Sequence, residues 1–353
     1  MLSHQTAACA GRVASRVAIL AHRSSNVWDP PGTAKWENQT EHTMTYQADQ
    51  FGLYLALAIH GGIQTDFVDE DAVLNKSALA VYQTLFVTEP NVPRTVLKAL
   101  GEWVKAGGKL VLSGGAATAD EYNASDTTLQ SLTGSTMTPF RRRLLPEARQ
   151  LPGPSPLPFA AEGFIGAAPF VAYGDVSSFT KVAADAKALG TFADQKSPCA
   201  VETGVGSGRI VQLAWQPGFS YLINATQEYH IPDPVRQFPA EVRQFLRELA
   251  GSNATHVSVR DAAGQAVVGV ETVLLAGDAG AVVTVVNWGG ADPEATLSLT
   301  VDLAAAGLAG AGELGRVVDA ASGAALAPTV SGGAATVKVA ARLANFVVLH
   351  RAG

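Results

Sequence analysis

The sequence predicts a protein of two parts: an α/β unit on a doubly wound, mostly parallel sheet, followed by a small antiparallel β-sandwich. Three observations carry this expectation. Short apolar runs bounded by polar loops, such as RVAILAH (16–22) and KLVLS (109–113), suit strands buried on both faces of a sheet. Helical spacings fall between those runs, which demands parallel crossovers. After Asn253 the helical spacing stops, and short strands separated by Gly, Asp and Ala turns continue to the end of the sequence.

The elements follow in order. Residues 1–15 read as an N-terminal extension and Val17–Ala21 as the first strand. A long polar and aromatic loop runs from Arg23 to Tyr46, and Gln47–His60 is a helix with Phe51, Tyr54, Leu55, Ala58 and Ile59 at helical spacing, stopped by Gly61 and Gly62. Gln64–Val68 and Ala80–Thr88 are the second and third strands. Pro93–Ala106 is the clearest helix, with Val96, Leu97, Leu100, Trp103 and Val104 on one face and Gly107 and Gly108 ending it. Between about 116 and 160 the periodicity fades, and five prolines from Pro146 to Pro158 mark an irregular insertion or partner-facing arm. Val171–Tyr173, Ala188–Phe192 and Ala200–Glu202 are short strands, Gly208–Trp215 is a buried one, and Pro239–Ala250 is an amphipathic helix stopped by Gly251. The expected division is therefore 1–15, 16–252 and 253–353.

Composition excludes several classes. The 353 residues are 47% hydrophobic and 16% charged, as in a globular protein. No apolar run approaches the roughly 20 residues that cross a bilayer, so no membrane partner is expected. A net charge of −6 offers no basic face for nucleic acid, and the cluster Arg141-Arg142-Arg143 reads as a solvated loop. Two cysteines, Cys9 and Cys199, cannot build a disulfide framework or a Cys-based zinc site, and the scattered histidines show no i, i+4 pair or HExxH. No metal or cofactor is expected. Asn-x-Ser/Thr sequons at Asn38, Asn75, Asn123, Asn224 and Asn253 favour secretion, whereas no hydrophobic signal segment is present. Cytoplasmic and secreted locations stay equally open.

Candidate chemistry is sparse. Gly204, Gly206 and Gly208 imitate a dinucleotide loop but precede a strand instead of opening a helix, so a hairpin turn is expected. The strand ending at Leu112 leads into Ser113, Gly114, Gly115 and Ala116, where a nucleophile elbow needs Ser or Cys at its apex; Ser113 stands at the strand end, with no His and acid partner marked. Cys199 reads as a small buried residue. The loop from Arg23 to Tyr46 exceeds structural need: Trp28, Trp36, Asp29 and Glu37 lie beyond the first strand, near His22 and Asn26. In open α/β sheets ligands bind outside the carboxyl ends of the strands, where Glu89, Ser113, Gly114 and Trp215 also fall. Aromatic faces beside carboxylates and amides suit a sugar ring. The structural alternative is a loop that packs its tryptophans on a neighbouring domain or subunit.

Several stretches then point to a family. RVAILAHRSSNVWDP, VLKALGEWVKAGGKLVLSGGAATADEY and GSGRIVQLAWQPG resemble the trimerisation domain of family 42 type β-galactosidases, and VETVLLAGDAGAVVTVVNWGG with the final NFVVLH resembles the small β-sandwich that ends many of these glycoside hydrolases. The resemblance implies a flavodoxin-like, class I glutamine amidotransferase-like fold without its active Cys. It also implies homo-oligomers, trimers among them, or a catalytic barrel as partner, and a carbohydrate ligand. The family's two catalytic glutamates lie on a (β/α)₈ barrel of about 250 residues. Here about 15 residues precede the first strand, so paired carboxylates about 5 to 5.5 Å apart have no scaffold and no catalytic residue carries over. The expectation is a non-catalytic assembly and substrate-framing module, whether split, truncated or free-standing. The rivals are a hydrolase or sugar-processing enzyme using the crevice through His22, Glu37, Glu89 or Ser113, and a carbohydrate-binding module stacking sugars on Trp28 and Trp36.

Overall fold

The computed structural model describes residues 11–21, 23–28, 45–139, 160–174, 176–193, 197–226, 238–251, 254–310 and 312–352. The chain runs through β1 (Gly11–Arg12), β2 (Val17–Leu20), α1 (Ser25–Trp28), α2 (Thr45–Tyr54) continuing as a π-helical turn (Leu55–Ile59), β3 (Thr65–Val68), α3 (Glu70–Leu74), α4 (Lys76–Leu79), β4 (Thr84–Val87), α5 (Arg94–Lys105) and β5 (Lys109–Leu112). Next come α6 (Thr128–Thr133), β6 (Thr136–Met137), β7 (Ala160–Ile165), β8 (Ala168–Tyr173), β9 (Phe179–Lys181), β10 (Lys187–Phe192), β11 (Pro198–Val205), β12 (Gly208–Leu213), α7 (Pro217–Thr226) and α8 (Ala240–Ala250). The last stretch holds β13 (Val257–Arg260), β14 (Val270–Gly277), β15 (Gly280–Asn287), β16 (Thr296–Asp302), β17 (Leu314–Asp319), β18 (Ala325–Leu326), β19 (Thr329–Ser331), β20 (Ala334–Ala340) and β21 (Ala344–Arg351).

The predicted parallel strands pair as expected, in the order β3-β2-β4-β5-β12. β11, β10, β7 and β8 then extend the same sheet antiparallel, so the nine-stranded sheet is mixed where the sequence predicts a mostly parallel one. Local chain geometry is the cause. β11 and β12 are joined by a tight turn at Gly206 (φ +62), as the three glycines predict, and β7 and β8 by one at Gly166 (φ +60). Turns that short can only return a strand antiparallel.

Helices cover both faces of the parallel strands. Val17 and Ile19 of β2 face a core with Leu53, Leu57, Phe245 and Leu249, while Ala18 and Leu20 face Val96, Leu97, Leu100 and Val104 of α5. Burying each such side chain contributes roughly 1.5–3 kcal/mol. α5 begins after Pro93 and ends at Ala106, with Gly107 at φ +124. The buried stripe of α2 is Tyr46, Asp49, Gln50 and Leu53, and Phe51, predicted on the apolar face, is 61% exposed. Gly52 explains the rotation: a Cβ there would lie 1.9 Å from the Gly218 carbonyl oxygen, so α2 meets α7 backbone to backbone. The predicted strand at 80–88 shortens to β4 because residues 80–83 form the turn that follows α4, whose N-terminus is capped by the Asn75 side chain. The prolines from 146 to 158, Arg141–Arg143 and Cys9 lie outside the described residues.

The C-terminal strands form two sheets, β1-β14-β15-β21-β17-β18 and β13-β16-β20-β19, around their own core of Leu274, Val283, Leu299, Val337 and Val347 among others. One strand comes from the other end of the chain. Gly11 and Arg12, read as part of an extension, pair with Ala276 and Leu275. Gln64 fastens the junction: its Nε2 donates to the Val13 carbonyl and its Oε1 accepts from Leu274 N. Arg12 adds a 2.6 Å ion pair to Asp66, and His256 Nε2 lies 3.1 Å from the Ala14 carbonyl.

Candidate functional site

The carboxyl ends of β2, β4, β5 and β12 lie side by side, which brings most of the described candidate residues into one region. Beyond β2, Ser25 opens α1 and exchanges hydrogen bonds with Asn91, donating to its carbonyl (3.1 Å) and accepting from its N–H (3.0 Å). Asn91 in turn donates to the Asp120 carbonyl and to Asn123 Oδ1. Asn26 accepts from Gln47 Nε2 (2.9 Å) and the Tyr46 hydroxyl (3.3 Å), which ties α1 to α2. Trp28 donates its indole N–H to the Glu121 carbonyl (3.0 Å) and remains 43% exposed.

Beyond β4, Glu89 is fully buried, with the Ser25 hydroxyl and the Arg23 backbone beside its carboxylate. Burial, and after it the neighbouring Glu70 charge, push its pKa well above the ordinary carboxylate value. Glu70 itself accepts from Ser24 N at 2.9 Å. Beyond β5, Ser113 is buried beside Asp49, a residue sequence reasoning missed. Asp49 accepts from Gly218 N (2.7 Å) and Phe219 N (3.0 Å) through Oδ1 and so caps α7. Burial pushes its pKa up to about 7, against the opposing effect of Ser113 and those two N–H groups. The signal available in the sequence was a lone acid in line with Tyr46 and Leu53 on a helix whose Gly52 permits close approach.

Beyond β12, Trp215 corrects the sequence expectation. It is fully buried and packs on Phe170 with ring centroids 4.4 Å apart and ring planes tilted by 33°, so it wedges the parallel strands against β8 and offers no platform to a ligand. Gly114 N donates to the Trp215 carbonyl (2.9 Å), which locks the turn after β5 to β12. Ala117, in that turn, takes φ +51 and donates its N–H to the Glu89 carbonyl. Glu89 and Ser113 thus follow neighbouring strands but are closed to solvent, and Trp28 alone of the described candidates offers a broad exposed face. His22, Asp29, Trp36 and Glu37 lie outside the described residues. Cys199 is buried as expected, and burial pushes its thiol up to about 12. Among the described residues no group of three or more His, Cys, Asp or Glu is placed to hold a metal, and no helix is long and apolar enough to cross a membrane.

No protein-family model matches the chain, and no curated protein does. Solved structures do. The fold is similar to that of a catalytic mutant of a GH42 β-galactosidase from G. stearothermophilus, at 13% identity and a TM-score of 0.64, covering 96% of this chain and 40% of that one. A β-galactosidase from Bacillus circulans sp. alkalophilus matches at 15% identity and a TM-score of 0.59, with 96% and 41% covered. An α-L-fucosidase isoenzyme from Paenibacillus thiaminolyticus matches at 15% and 0.59, with 96% and 49% covered. The chain thus has the fold of a part of these glycoside hydrolases and spans less than half of their length.

Proposed function

We propose that this chain is a non-catalytic module of a β-galactosidase-like glycoside hydrolase, which assembles subunits and frames a sugar site built elsewhere. The observation that carries the reading is the coverage: nearly the whole chain superposes on about 40% of a GH42 β-galactosidase. The order of the parallel strands, second-first-third-fourth-fifth along the chain, supports a flavodoxin-like, amidotransferase-like assignment for residues 16–252, with the sandwich as a second domain. The closed strand ends support the non-catalytic role, since the Ser113 and Glu89 side chains are buried.

Assembly is supported by an apolar patch beside α1, where Val27 and Tyr122 are each 72% exposed next to Trp28. A second copy of the chain, in a trimer on this reading, covers that patch. Light scattering after size-exclusion chromatography at micromolar concentration tests it. An oligomer that Trp28→Glu converts to monomer is expected, and a strict monomer in the unmodified protein would sink the assembly role.

The same exposed Trp28 favours a second reading, a carbohydrate-binding module using it as a stacking platform. Glycan-array binding lost in Trp28→Ala, by a protein that stays monomeric, would replace the first reading with this one.

A further inference from the structure

A separate cleft of about 360 Å³ lies between α8 and the β13–β16 pair of the sandwich, away from the strand ends described above. Its volume is in the range of roughly 300–1,000 Å³ typical of small-molecule sites. Strand alternation builds one wall. Val257, Val259, Leu299 and Val301 face the sandwich core, so His256, Ser258 and Arg260 project to the other face, with Ser258 opposite Thr300 and His256 opposite Asp302. Arg247 of α8 lines the opposite side, held by a 2.7 Å hydrogen bond to the Gly61 carbonyl.

The cleft carries two guanidinium groups against one carboxylate. Arg260 donates to the Gly264 carbonyl at 2.6 Å, and neither Arg247 nor Arg260 forms an ion pair among the described residues. A guanidinium carries five donors, so most of theirs are uncommitted to protein acceptors in the hydrogen bonds above. Burial first, then the charges of Arg243 and Arg260, hold the Arg247 pKa below its ordinary value. Among the described residues Asp302 is the one carboxylate lining the cleft, and its Oδ1 accepts from Ala304 N (2.9 Å) and Ala305 N (3.2 Å).

We infer that the cleft binds a small acidic sugar, its oxyanion held between Arg247 and Arg260 and its hydroxyls met by Ser258 and Thr300. The inference stands apart from the assembly role, because none of these residues belongs to the α1 patch. The oxyanion chemistry is shared by uronic acids, sugar phosphates and sugar sulfates, and the test separates them.

Isothermal titration of the whole protein with glucuronate, glucose 6-phosphate, glucose 6-sulfate and neutral glucose is the experiment. At least one acidic sugar is expected to bind, glucose is not, and whichever binds identifies the oxyanion. Arg260→Ala, at an exposed position, is expected to raise the Kd at least about tenfold, as the loss of a charge-assisted contact does. Arg247→Gln should do the same, with circular dichroism reporting whether the fold survives the loss of its Gly61 contact. Equal binding of glucose, an unchanged Kd in Arg260→Ala, or no binding of any acidic sugar at about 10 mM would overturn the inference. None of those results would bear on the oligomer measured by light scattering.

Discussion

The sandwich and the strand-end region of the α/β sheet bury their polar groups in opposite ways. In the sandwich Asn287 donates to the Ala291 and Ala341 carbonyls and accepts from Gly289 and Ala291, and Asp319 accepts from Ala321 and Ser322. At the strand ends Thr88 Oγ1 and Trp215 Nε1 are buried without a protein partner, and the buried carboxylates of Asp49 and Glu89 rest against the hydroxyls of Ser113 and Ser25. A buried polar group left unpaired costs on the order of 1–3 kcal/mol. The difference teaches that the sandwich pairs its buried amide and carboxylate side chains with its own turns, leaving the ring nitrogens His256 Nδ1 and His350 Nε2 without a protein partner, whereas the strand ends gather buried acid, hydroxyl and indole groups in one region. Such sites are where sequence and stability diverge for reasons other than packing.

The largest expected effect sharpens the sandwich side. Leu299 is fully buried in the centre of β16, so Leu299→Ala is expected to cost about 4 kcal/mol, within the range for buried leucines. Chemical denaturation would measure it. A loss under about 1 kcal/mol would mean that the core is loosely packed and the comparison fails.

The second prediction concerns Asp49 and pH. Its folded pKa, about 7, stands above the ordinary 3.8, so between those values the native state binds more protons than the unfolded chain. Stability therefore falls as pH rises through that window, and this contribution is fully present only below about pH 4. From about pH 4.5 to 7 the loss is about 3 kcal/mol at 1.36 kcal/mol per unit. Asp49→Asn keeps an acceptor for the two α7 N–H groups and should flatten the slope of unfolding free energy against pH by that amount. An unchanged slope would show that Asp49 is solvated.

How much of this was legible follows from the same contrast. Most of the parallel strands are apolar runs, and the sandwich strands are short segments separated by Gly, Asp and Ala turns, so both announced themselves. β1 has two residues, Gly11 and Arg12, and no side-chain pattern; its place is fixed by backbone pairing to β14 at the other end of the chain. β7, before a Gly166 turn, adjoins a proline-rich stretch that masks any alternation. At the site, position along the chain correctly put Glu89, Ser113 and Trp215 at strand ends, but burial depends on what α2 and β8 pack over them, which no local pattern records. Asp49 escaped notice because a single acid on a helix ordinarily faces water.

The junction between the two parts supplies the third test. Gln64, just ahead of β3, makes both of its hydrogen bonds to the sandwich side, to the Val13 carbonyl beside β1 and from Leu274 N of β14. Gln64→Ala leaves both backbone groups short of a partner, so about 2 kcal/mol is expected. The loss should appear as earlier unfolding of the sandwich, read by Trp288, the one tryptophan there. Simultaneous loss of both parts would show that they unfold as one unit.

The smallest effect concerns backbone strain, where the two regions again part. Among the described residues every positive-φ position in the sandwich is glycine, whereas the turns after β5 hold Ala117 at φ +51 and Asn123 at φ +60. A left-handed alanine costs roughly 1–2 kcal/mol. Ala117→Gly relieves that strain but removes a buried methyl worth about 0.8 kcal/mol and frees the unfolded chain by roughly 0.4–1 kcal/mol. The terms nearly cancel, so the unfolding free energy is expected to move by less than about 0.5 kcal/mol. Ala117→Val keeps the strain and adds β-branching at a buried site, so it should lose considerably more. A clear stabilisation by glycine would mean that the turn carries strain the rest of the sheet does not compensate; a loss above about 1.5 kcal/mol would mean that the methyl, not the turn, holds β5 against Glu89.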